Sequence, residues 1–335
     1  MKNIRWGIIG LGRFGMLHAE AVRDMYGCEL AAVCNRNAQK LNDFAKRFPE
    51  AAACTDYREL LKSDAVDVVT IATHWQEHLE PAKEALLAGK HVFLEKPMAA
   101  SAAQCRELLQ AAEQSSGKLM VGHICRFDPR AGLARDAVRQ GKIGRVVSMH
   151  AKRNLPVAPG HIRLNKISPL MGDGIHDADL MMWLTGRVPT RVYARNVRVH
   201  DFDYPDLGWA MLDFEDSAVG VIETNWCLPP NVPTVIDAAL EVVGTEGKLT
   251  IDCSVTGFAV INADGNKMSD TVYWPELHGR RVGALISELS YFADCIRSNS
   301  APTVITPKEA AQAVIVMEAA EQSAACGRPV DIPAL

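Results

Sequence analysis

Residues 8–15 read Ile8-Ile9-Gly10-Leu11-Gly12-Arg13-Phe14-Gly15, an apolar pair followed by glycines in the spacing GxGxxG. Apolar residues then recur at helical spacing to Met25, and Glu29–Cys34 has the composition of another strand. In a strand–turn–helix of this kind, Gly10 permits the tight bend, Gly12 lets a pyrophosphate approach the backbone, and Gly15 lets the helix pack on the strand. The stretch predicts a dinucleotide-binding turn with phosphates at the helix N-terminus. The alternative is a plain glycine-rich turn, since glycine makes up 24 of 335 residues.

The residue about 20 positions after the last glycine selects the dinucleotide, because an acidic side chain there binds the ribose diol. This chain has Asn35 at that position, followed by Arg36. Asn35 carries no charge to repel a 2′-phosphate, and Arg36 is a cation that could bind one. The pair favours NADP or dual use slightly over NAD. NAD bound through Asn35, with Arg36 a solvated cation, is the alternative.

Strand and helix patterns alternate through the first third of the chain, which predicts a doubly wound parallel sheet. Buried strands are expected at 65–72, 91–94 and 118–121, with a helix at 79–88. Ser101 and Gln104 have the spacing of a capping box that begins a helix to Gln114. We expect an NAD(P)-binding domain of the Rossmann type at residues 1–123.

From about residue 145 the pattern changes to long strand-like runs, at 145–152, 191–199, 209–214 and 218–224. Asp264-Gly265 is a hairpin signal. These runs predict an α+β domain with a large, open and mostly antiparallel sheet at residues 124–335, which binds substrate and supports oligomerisation. An exposed apolar sheet face of this kind is a good surface for a second copy of the chain.

The composition favours a compact two-domain protein of the cytoplasm. The hydrophobic fraction is 48% and the formal net charge is −4, without the basic stripe that a nucleic-acid partner requires. Nine cysteines, an odd number without a CxxC pair, indicate reduced thiols. No run reaches the roughly 18 apolar residues of a membrane span, and no secretion signal is evident.

The first chemical candidate is Glu95-Lys96-Pro97, which follows a strand at the carboxyl edge of the parallel sheet. Ligands of open α/β folds bind at this edge. A cation there can stabilise an alkoxide, and Pro97 would fix the backbone around it. The alternative is a solvent-facing loop lysine.

Thr73, His74 and His78 follow another strand of the same sheet. The two histidines are four residues apart, but no third ligand has a characteristic spacing, so we predict no metal. One or both histidines are expected to line the nicotinamide end of the cleft; the alternative for His78 is a residue that simply begins a helix.

The second candidate is the run from Gly172 to Leu180, in which His176, Asp179 and Trp183 share one stripe of a helix that ends before Gly186. A histidine with an ordinary pKa near 6.5 suits proton exchange with a hydroxyl, and a carboxylate can hold its tautomer. A structural histidine at a helix start is the alternative.

Basic residues after a second-domain strand could contact a polyhydroxylated or anionic substrate. They are Lys152 and Arg153, together with His161 and Arg163 further along. A solvated basic loop explains them equally well.

With GLGRFG at 10–15, EKP at 95–97 and GDGIHDAD at 172–179 in this order, the sequence resembles the glucose–fructose oxidoreductase, inositol dehydrogenase and MocA family of NAD(P)-dependent oxidoreductases. The resemblance runs nearly end to end and includes the turn at 244–247 and the closing Gly327–Val330. It implies a Rossmann domain, a second domain with an open sheet, and homodimers or homotetramers.

The resemblance also implies hydride transfer to or from a secondary carbinol of a sugar, inositol or related polyol. Lys96 matches the lysine that contacts substrate and nicotinamide, and His176 matches the acid/base histidine. Many members carry an aspartate four residues before that histidine, where this chain has Gly172 and then Asp173. Either Asp173 substitutes for it through a shifted turn, or its role falls to Lys96 and His176 alone.

Two other functions stay open. One is a dinucleotide-binding sensor or regulator without catalysis. The other is a closed cycle on tightly bound NAD, as in redox-assisted glycoside cleavage or transhydrogenation.

Overall fold

The computed structural model describes residues 3–215, 218–234, 236–263 and 265–335. The chain forms two compact units. The first comprises Met1–Phe127 and Tyr273–Ala311, and the second comprises Asp128–Val272 and Gln312–Leu335. A segment late in the sequence therefore belongs to the first unit. The division into a cofactor domain and a substrate domain at residue 123 stays a prediction. It assigns every residue after 123 to the second domain, whereas the first compact unit also includes Tyr273–Ala311.

The first unit contains a six-stranded sheet in the order β3-β2-β1-β4-β5-β6, in which all neighbours are parallel. Its strands are β1 (Ile4–Ile9), β2 (Cys28–Cys34), β3 (Ala52–Cys54), β4 (Val68–Ile71), β5 (His91–Glu95) and β6 (Leu119–Gly122). Its helices in this part are α1 (Arg13–Asp24), α2 (Ala38–Ala45), α3 (Tyr57–Lys62), α4 (Leu79–Leu87) and α5 (Ala102–Gln114). The predicted doubly wound parallel sheet is confirmed.

The parallel register brings several predicted site segments to one sheet edge. Ile9 at the end of β1 pairs with Cys34 and with Ile71, and Ile71 is adjacent to Leu94. The segments that begin at residues 10, 35, 72 and 95 therefore leave the sheet at its carboxyl edge, where open α/β sheets bind ligands.

The returning segment completes the first unit's core. It contains the short strands β15 (Glu276–Leu277) and β16 (Arg280–Arg281), then α9 (Ala284–Arg297) and the start of α10 (Pro307–Cys326). Phe292 on α9 is buried and packs edge-on against Trp6 of β1 and Phe93 of β5, at centroid distances of 6.3 and 6.0 Å. Aromatic burial of this kind dominates core energetics.

The second unit contains a seven-stranded sheet in the order β12-β11-β7-β10-β9-β8-β17. Only the β7–β10 pair is parallel, so the prediction of a mostly antiparallel sheet is confirmed. The strands are β7 (Val146–Pro156), β8 (Arg191–Val197), β9 (Leu207–Asp213), β10 (Val219–Leu228), β11 (Asp237–Gly244), β12 (Lys248–Asp252) and β17 (Val330–Asp331). The helices are α6 (Pro129–Arg139), α7 (Val157–Arg163), α8 (Ile175–Thr185) and the rest of α10.

A small antiparallel pair, β13 (Ala259–Asn262) and β14 (Gly265–Met268), accounts for residues near the predicted hairpin. Asp264, half of the dipeptide that predicted the turn, lies outside the described residues.

In the described part of the chain, none of the helices combines the length and apolar character needed to cross a membrane.

Candidate active site

The glycine turn connects β1 to α1 at the carboxyl edge of the parallel sheet. Gly10 has φ of +100°, and a Cβ there would lie 2.7 Å from the Ala72 carbonyl oxygen. A Cβ at Gly15 would lie 1.9 Å from the Gly10 carbonyl oxygen. Gly12 caps α1, and among the described residues a Cβ there would meet nothing within 4 Å. The first and third glycines are thus required by packing, whereas the second faces open space.

This turn fits a dinucleotide pyrophosphate. The space in front of Gly12 and the free N–H groups at the start of α1 form the type of anion site that helix N-termini provide. The residues therefore have the steric and electrostatic character that the cofactor needs.

An aromatic residue from the returning segment covers the outer side of the turn. Trp274 packs edge-on against Phe14 with a centroid distance of 5.4 Å, and the Arg13 guanidinium carbon lies 5.9 Å from its ring centre. Both predicted cofactor residues after Gly12 are thus held by a side chain 260 positions away. The sequence contained no signal for this contact.

The residues that follow β2 are occupied by other polar groups. Asn35 Oδ1 accepts a hydrogen bond from the Asn37 N–H at 2.9 Å. Arg36 Nη2 donates to both carboxylate oxygens of Glu77, at 2.7 and 2.8 Å. Arg36 is exposed, yet its guanidinium faces a carboxylate, which competes with any anionic ligand. Sequence reasoning missed Glu77.

The Glu95-Lys96-Pro97 segment leaves β5 with its glutamate turned inward. Glu95 Oε1 lies 2.7 Å from His18 Nε2, and His18 on α1 is fully buried. Glu95 Oε2 accepts the Lys96 N–H at 3.3 Å. Lys96 itself is half-buried. Glu95 therefore anchors the segment that carries the lysine, and His18, which the sequence did not single out, anchors Glu95.

His78 also holds the Glu95-Lys96-Pro97 segment, through a hydrogen bond to its backbone. It is 1% exposed, and its Nδ1 donates to the Pro97 carbonyl oxygen at 2.8 Å. Burial lowers the pKa of His78, so the ring is neutral at pH 7. Residue 97 follows a cis Lys96–Pro97 peptide bond. His78 also stands at the N-cap position of α4, the helix start that the alternative interpretation described, but its side chain makes no capping hydrogen bond.

Thr73 and His74 follow β4 at the sheet edge and are half-buried. The Thr73 hydroxyl is buried and has no hydrogen-bond partner among the described residues. His74 lies beside Trp75, with a centroid distance of 6.4 Å.

In the second unit, His176 stands in the first turn of α8, directly after a π-helical turn at Leu170–Gly174. His176 is 6% exposed, Asp179 is fully buried and Trp183 is 8% exposed. The helix ends at Gly186 with φ of +67°, as the sequence predicts. Because residues 175–184 are all buried, α8 is a core helix and not an amphipathic one.

The replacement of the family aspartate by Gly172 has a steric counterpart. A Cβ at residue 172 would lie 2.8 Å from Cη2 of the buried Trp226. The same indole donates through Nε1 to Asp173 Oδ2 at 2.9 Å. Arg163 Nη1 lies 3.4 Å from that oxygen, and its guanidinium carbon is 5.5 Å from the Trp226 ring centre. Trp226 thus occupies the space of a side chain at 172 and holds the carboxylate one residue later.

The predicted substrate residues on β7 both face carboxylates of their own unit. Arg153 is 5% exposed and makes two hydrogen bonds with the fully buried Asp177, at 3.1 and 2.7 Å. Lys152 Nζ lies 2.6 Å from Asp237 Oδ1 and is half-buried. Arg153 is thus bonded to an internal carboxylate, and Lys152 has a paired but accessible ammonium group.

His161 lies on α7 and points toward a different group of side chains. Its ring packs against His200 at a centroid distance of 4.6 Å and against Phe202 at 4.7 Å. It shares α7 with Arg163, which reaches Asp173.

The fold is that of a dinucleotide-binding protein, and the comparisons with known proteins identify its family as one of oxidoreductases. Residues 4–123 match the family described as "Oxidoreductase family, NAD-binding Rossmann fold", and residues 133–250 match the "GFO/IDH/MocA C-terminal domain". The chain belongs to the Gfo/Idh/MocA oxidoreductase family, which confirms the resemblance noted in the sequence.

The similarity to individual relatives extends over nearly the whole chain. An uncharacterized oxidoreductase, YrbE, of Bacillus subtilis is 29% identical and covers 99% of this chain and 97% of its own length. The scyllo-inositol 2-dehydrogenase (NAD(+)) of the same organism is 25% identical, with 98% and 96% covered. The solved scyllo-inositol dehydrogenase of Lactobacillus casei, with bound NAD(H) and scyllo-inositol, has a TM-score of 0.85 at 23% identity, with 99% of each chain covered.

Proposed function

We propose that this oxidoreductase transfers a hydride between a nicotinamide dinucleotide and a secondary alcohol carbon of a sugar, inositol or related polyol. The observation that carries the proposal is the combination, in one chain of this family, of a sterically required glycine turn, a lysine at the sheet edge and a buried histidine in the first turn of a core helix. The names of the relatives, inositol 2-dehydrogenase and D-apiose dehydrogenase, support this substrate class.

Each site residue has one proposed task. The bound nicotinamide supplies or accepts the hydride. His176 exchanges the hydroxyl proton through Nε2, since its Nδ1 atom is buried. Lys96 polarises the same oxygen, and His18, Glu95 and His78 fix the backbone from which the lysine extends. Asp173, held by Trp226, binds a substrate hydroxyl in place of the aspartate that position 172 lacks.

The decisive experiment measures cofactor reduction with NAD and NADP across aldoses, inositols and sugar acids. We expect turnover with one polyol class. Lys96→Ala and His176→Asn should each lower kcat by at least about a hundredfold, because removing a positioned acid/base group typically costs that much. Cofactor affinity should change little, since neither residue is part of the glycine turn.

Three results would contradict the proposal. Full activity in either variant removes that residue from catalysis. Tight cofactor binding without turnover on any substrate favours a sensor, and cofactor that co-purifies and resists dialysis favours a closed redox cycle.

For the cofactor we propose NAD, although Asn35 and Arg36 by themselves leaned toward NADP or dual use. The Arg36–Glu77 pair supports NAD, because it places a carboxylate beside the cation that would bind a 2′-phosphate. The relative named scyllo-inositol 2-dehydrogenase (NAD(+)) is consistent with this choice.

We also propose a homodimer or homotetramer formed through the outer face of the seven-stranded sheet. Trp209 and Met211, alternate residues of β9, are 42% and 50% exposed, and Val219 on the adjacent β10 is 43% exposed. His150 of β7 stacks on Trp209 with a centroid distance of 6.2 Å. A contiguous exposed apolar patch on a sheet is typical of an interaction surface.

The cytoplasm is the proposed compartment. None of the nine cysteines is in a disulfide bond, and five of them are buried. Such thiols persist where the environment is reducing.

A further inference from the structure

A group of three metal-ligating side chains lies in the second unit, and the proposed reaction does not use it as a group. One ring nitrogen from each of His161 and His200 and a carboxylate oxygen of Asp206 all lie within 4.8 Å of one another. His161 comes from α7, whereas the other two come from the connection between β8 and β9. The spacing in sequence, 39 and 6 residues, has no motif signature, so the sequence could not reveal the group.

His161 provides a ring nitrogen that makes no hydrogen bond to the described residues. Its Nε2 atom is buried, and among the described residues no hydrogen-bond partner reaches it. A buried nitrogen without a partner costs free energy in an apolar setting. Here one side of that setting is apolar, since Phe202 packs against the ring. A cation at Nε2 would remove the cost.

Asp206 and His200 form the second half of the group. Asp206 is fully buried, and His200 Nδ1 donates to its Oδ1 at 2.6 Å. Asp206 Oδ2 accepts the N–H groups of Val199 and His200 at 2.7 and 3.0 Å. The group therefore places two imidazole rings beside a buried carboxylate that backbone N–H groups also hold.

We propose that His161, His200 and Asp206 form a binding site for a divalent transition-metal ion, with Zn²⁺ as the best match. Two imidazoles and one carboxylate with an open fourth position are a zinc donor set. Mg²⁺ and Ca²⁺ prefer oxygen-only ligands and are disfavoured. The ligand atoms lie up to 4.8 Å from one another. They must approach one another by about 1 Å before each can bind a shared zinc ion at about 2.1 Å. The exposed ring of His200 permits this movement.

The site would connect α7 to the connection between β8 and β9. Helix α7 also carries Arg163, which contacts Asp173, the residue proposed to bind substrate. An ion at His161 would therefore restrain the helix that holds Asp173. Metal binding does not depend on the proposed reaction, and its test needs no substrate.

The experiment uses the full chain after removal of metals with a chelator. Zinc titration by calorimetry should show one ion per chain, and saturating zinc should raise Tm by about 5 °C. His161→Gln should weaken zinc binding by at least about tenfold while the metal-free variant keeps its Tm, because Nε2 makes no hydrogen bond to lose. Asp206→Asn should weaken binding similarly.

His278→Asn is the matched control, since it removes an exposed histidine between β15 and β16. It should bind zinc like the wild type. The proposal is overturned if metal-free wild type binds no zinc, if His161→Gln keeps wild-type affinity, if the control loses it, or if magnesium binds as tightly as zinc.

Discussion

Arg36 shows how one ion pair can decide the response of a cofactor site. Its guanidinium is bonded to both oxygens of Glu77, which follows a different strand. Both side chains are exposed, so the pair itself contributes only about 0–1 kcal/mol to stability. The pair matters more for cofactor binding than for stability, because the Glu77 carboxylate repels the phosphate that Arg36 would attract.

Glu77→Gln should therefore shift the enzyme toward NADP. A change of about 1 kcal/mol corresponds to roughly a fivefold rise in the ratio of kcat/KM for NADP to that for NAD. Glu80→Gln, an exposed residue on α4 that removes the same charge a turn away, is the control and should leave the ratio unchanged. Equal shifts in both variants would mean that general electrostatics, and not the Arg36 pair, sets the preference.

At the residue scale, the sequence was informative where chemistry needs a residue type at a fixed place in a motif. Gly10, Gly12 and Gly15 belong to this class: the structure leaves no room for a side chain at Gly10 or Gly15, and it leaves open space in front of Gly12. Arg153 bonds to the buried Asp177 of its own unit, a contact that the sequence did not indicate, and its contact with substrate stays a prediction. Glu77 had no local pattern, since its partner is 41 residues away.

Strand β7 carries a natural comparison between a buried and an accessible ion pair. Arg153 and Asp177 are 7% and 0% exposed in their side chains, whereas Lys152 and Asp237 are 35% and 23% exposed. Removing one partner of a buried pair leaves an uncompensated charge.

Asp177→Asn should lower the free energy of unfolding by about 3–5 kcal/mol. Lys152→Ala, on the same strand, should lower it by about 1 kcal/mol or less. Urea unfolding followed by circular dichroism measures both. Similar losses for the two variants would show that the Arg153–Asp177 pair is not desolvated in solution.

At the element scale, strands and helices were predictable because periodicity and end signals are local. The helix at Ala102–Gln114 begins after Ser101, which accepts the Gln104 N–H as the capping box predicts. The π-helical turn before α8 was not predictable, because packing against Trp226 from β10 shapes that region. Long-range packing also explains why α8 is buried on every side.

For the whole molecule, the buried His78 and the half-buried His91 set an expected response to acid. Burial lowers the pKa of His78 and of His91 below the ordinary value of about 6.5. In acid the unfolded chain binds protons that the folded chain excludes, so stability increases with pH in that range. The contribution is complete above about pH 6.5 and is lost as the pH falls from there toward the folded pKa values.

His78→Asn should flatten this dependence by up to about 1.4 kcal/mol per pH unit. Asparagine can still donate to the Pro97 carbonyl oxygen, but it does not titrate. Unfolding free energies at a series of pH values between neutrality and mild acid provide the measurement. An unchanged slope would contradict a neutral, buried His78.

The proposed assembly gives a second prediction at this scale. Trp209→Glu places a charge in the exposed apolar patch of the seven-stranded sheet and should dissociate the oligomer, as light scattering would show. Ile261→Glu makes a similar change at a side chain on β13 that is 78% exposed, and it should leave the assembly intact. An assembly that survives Trp209→Glu uses another surface.

The return of residues 273–311 to the first unit has a consequence for synthesis on the ribosome. Trp6 and Phe93 emerge early, but Phe292, which packs against both, follows the whole of residues 128–272. At usual elongation rates this delay is on the order of ten seconds. The nascent cofactor-binding unit must wait with its aromatic core uncovered, so we expect it to be a client of the chaperones that bind growing chains.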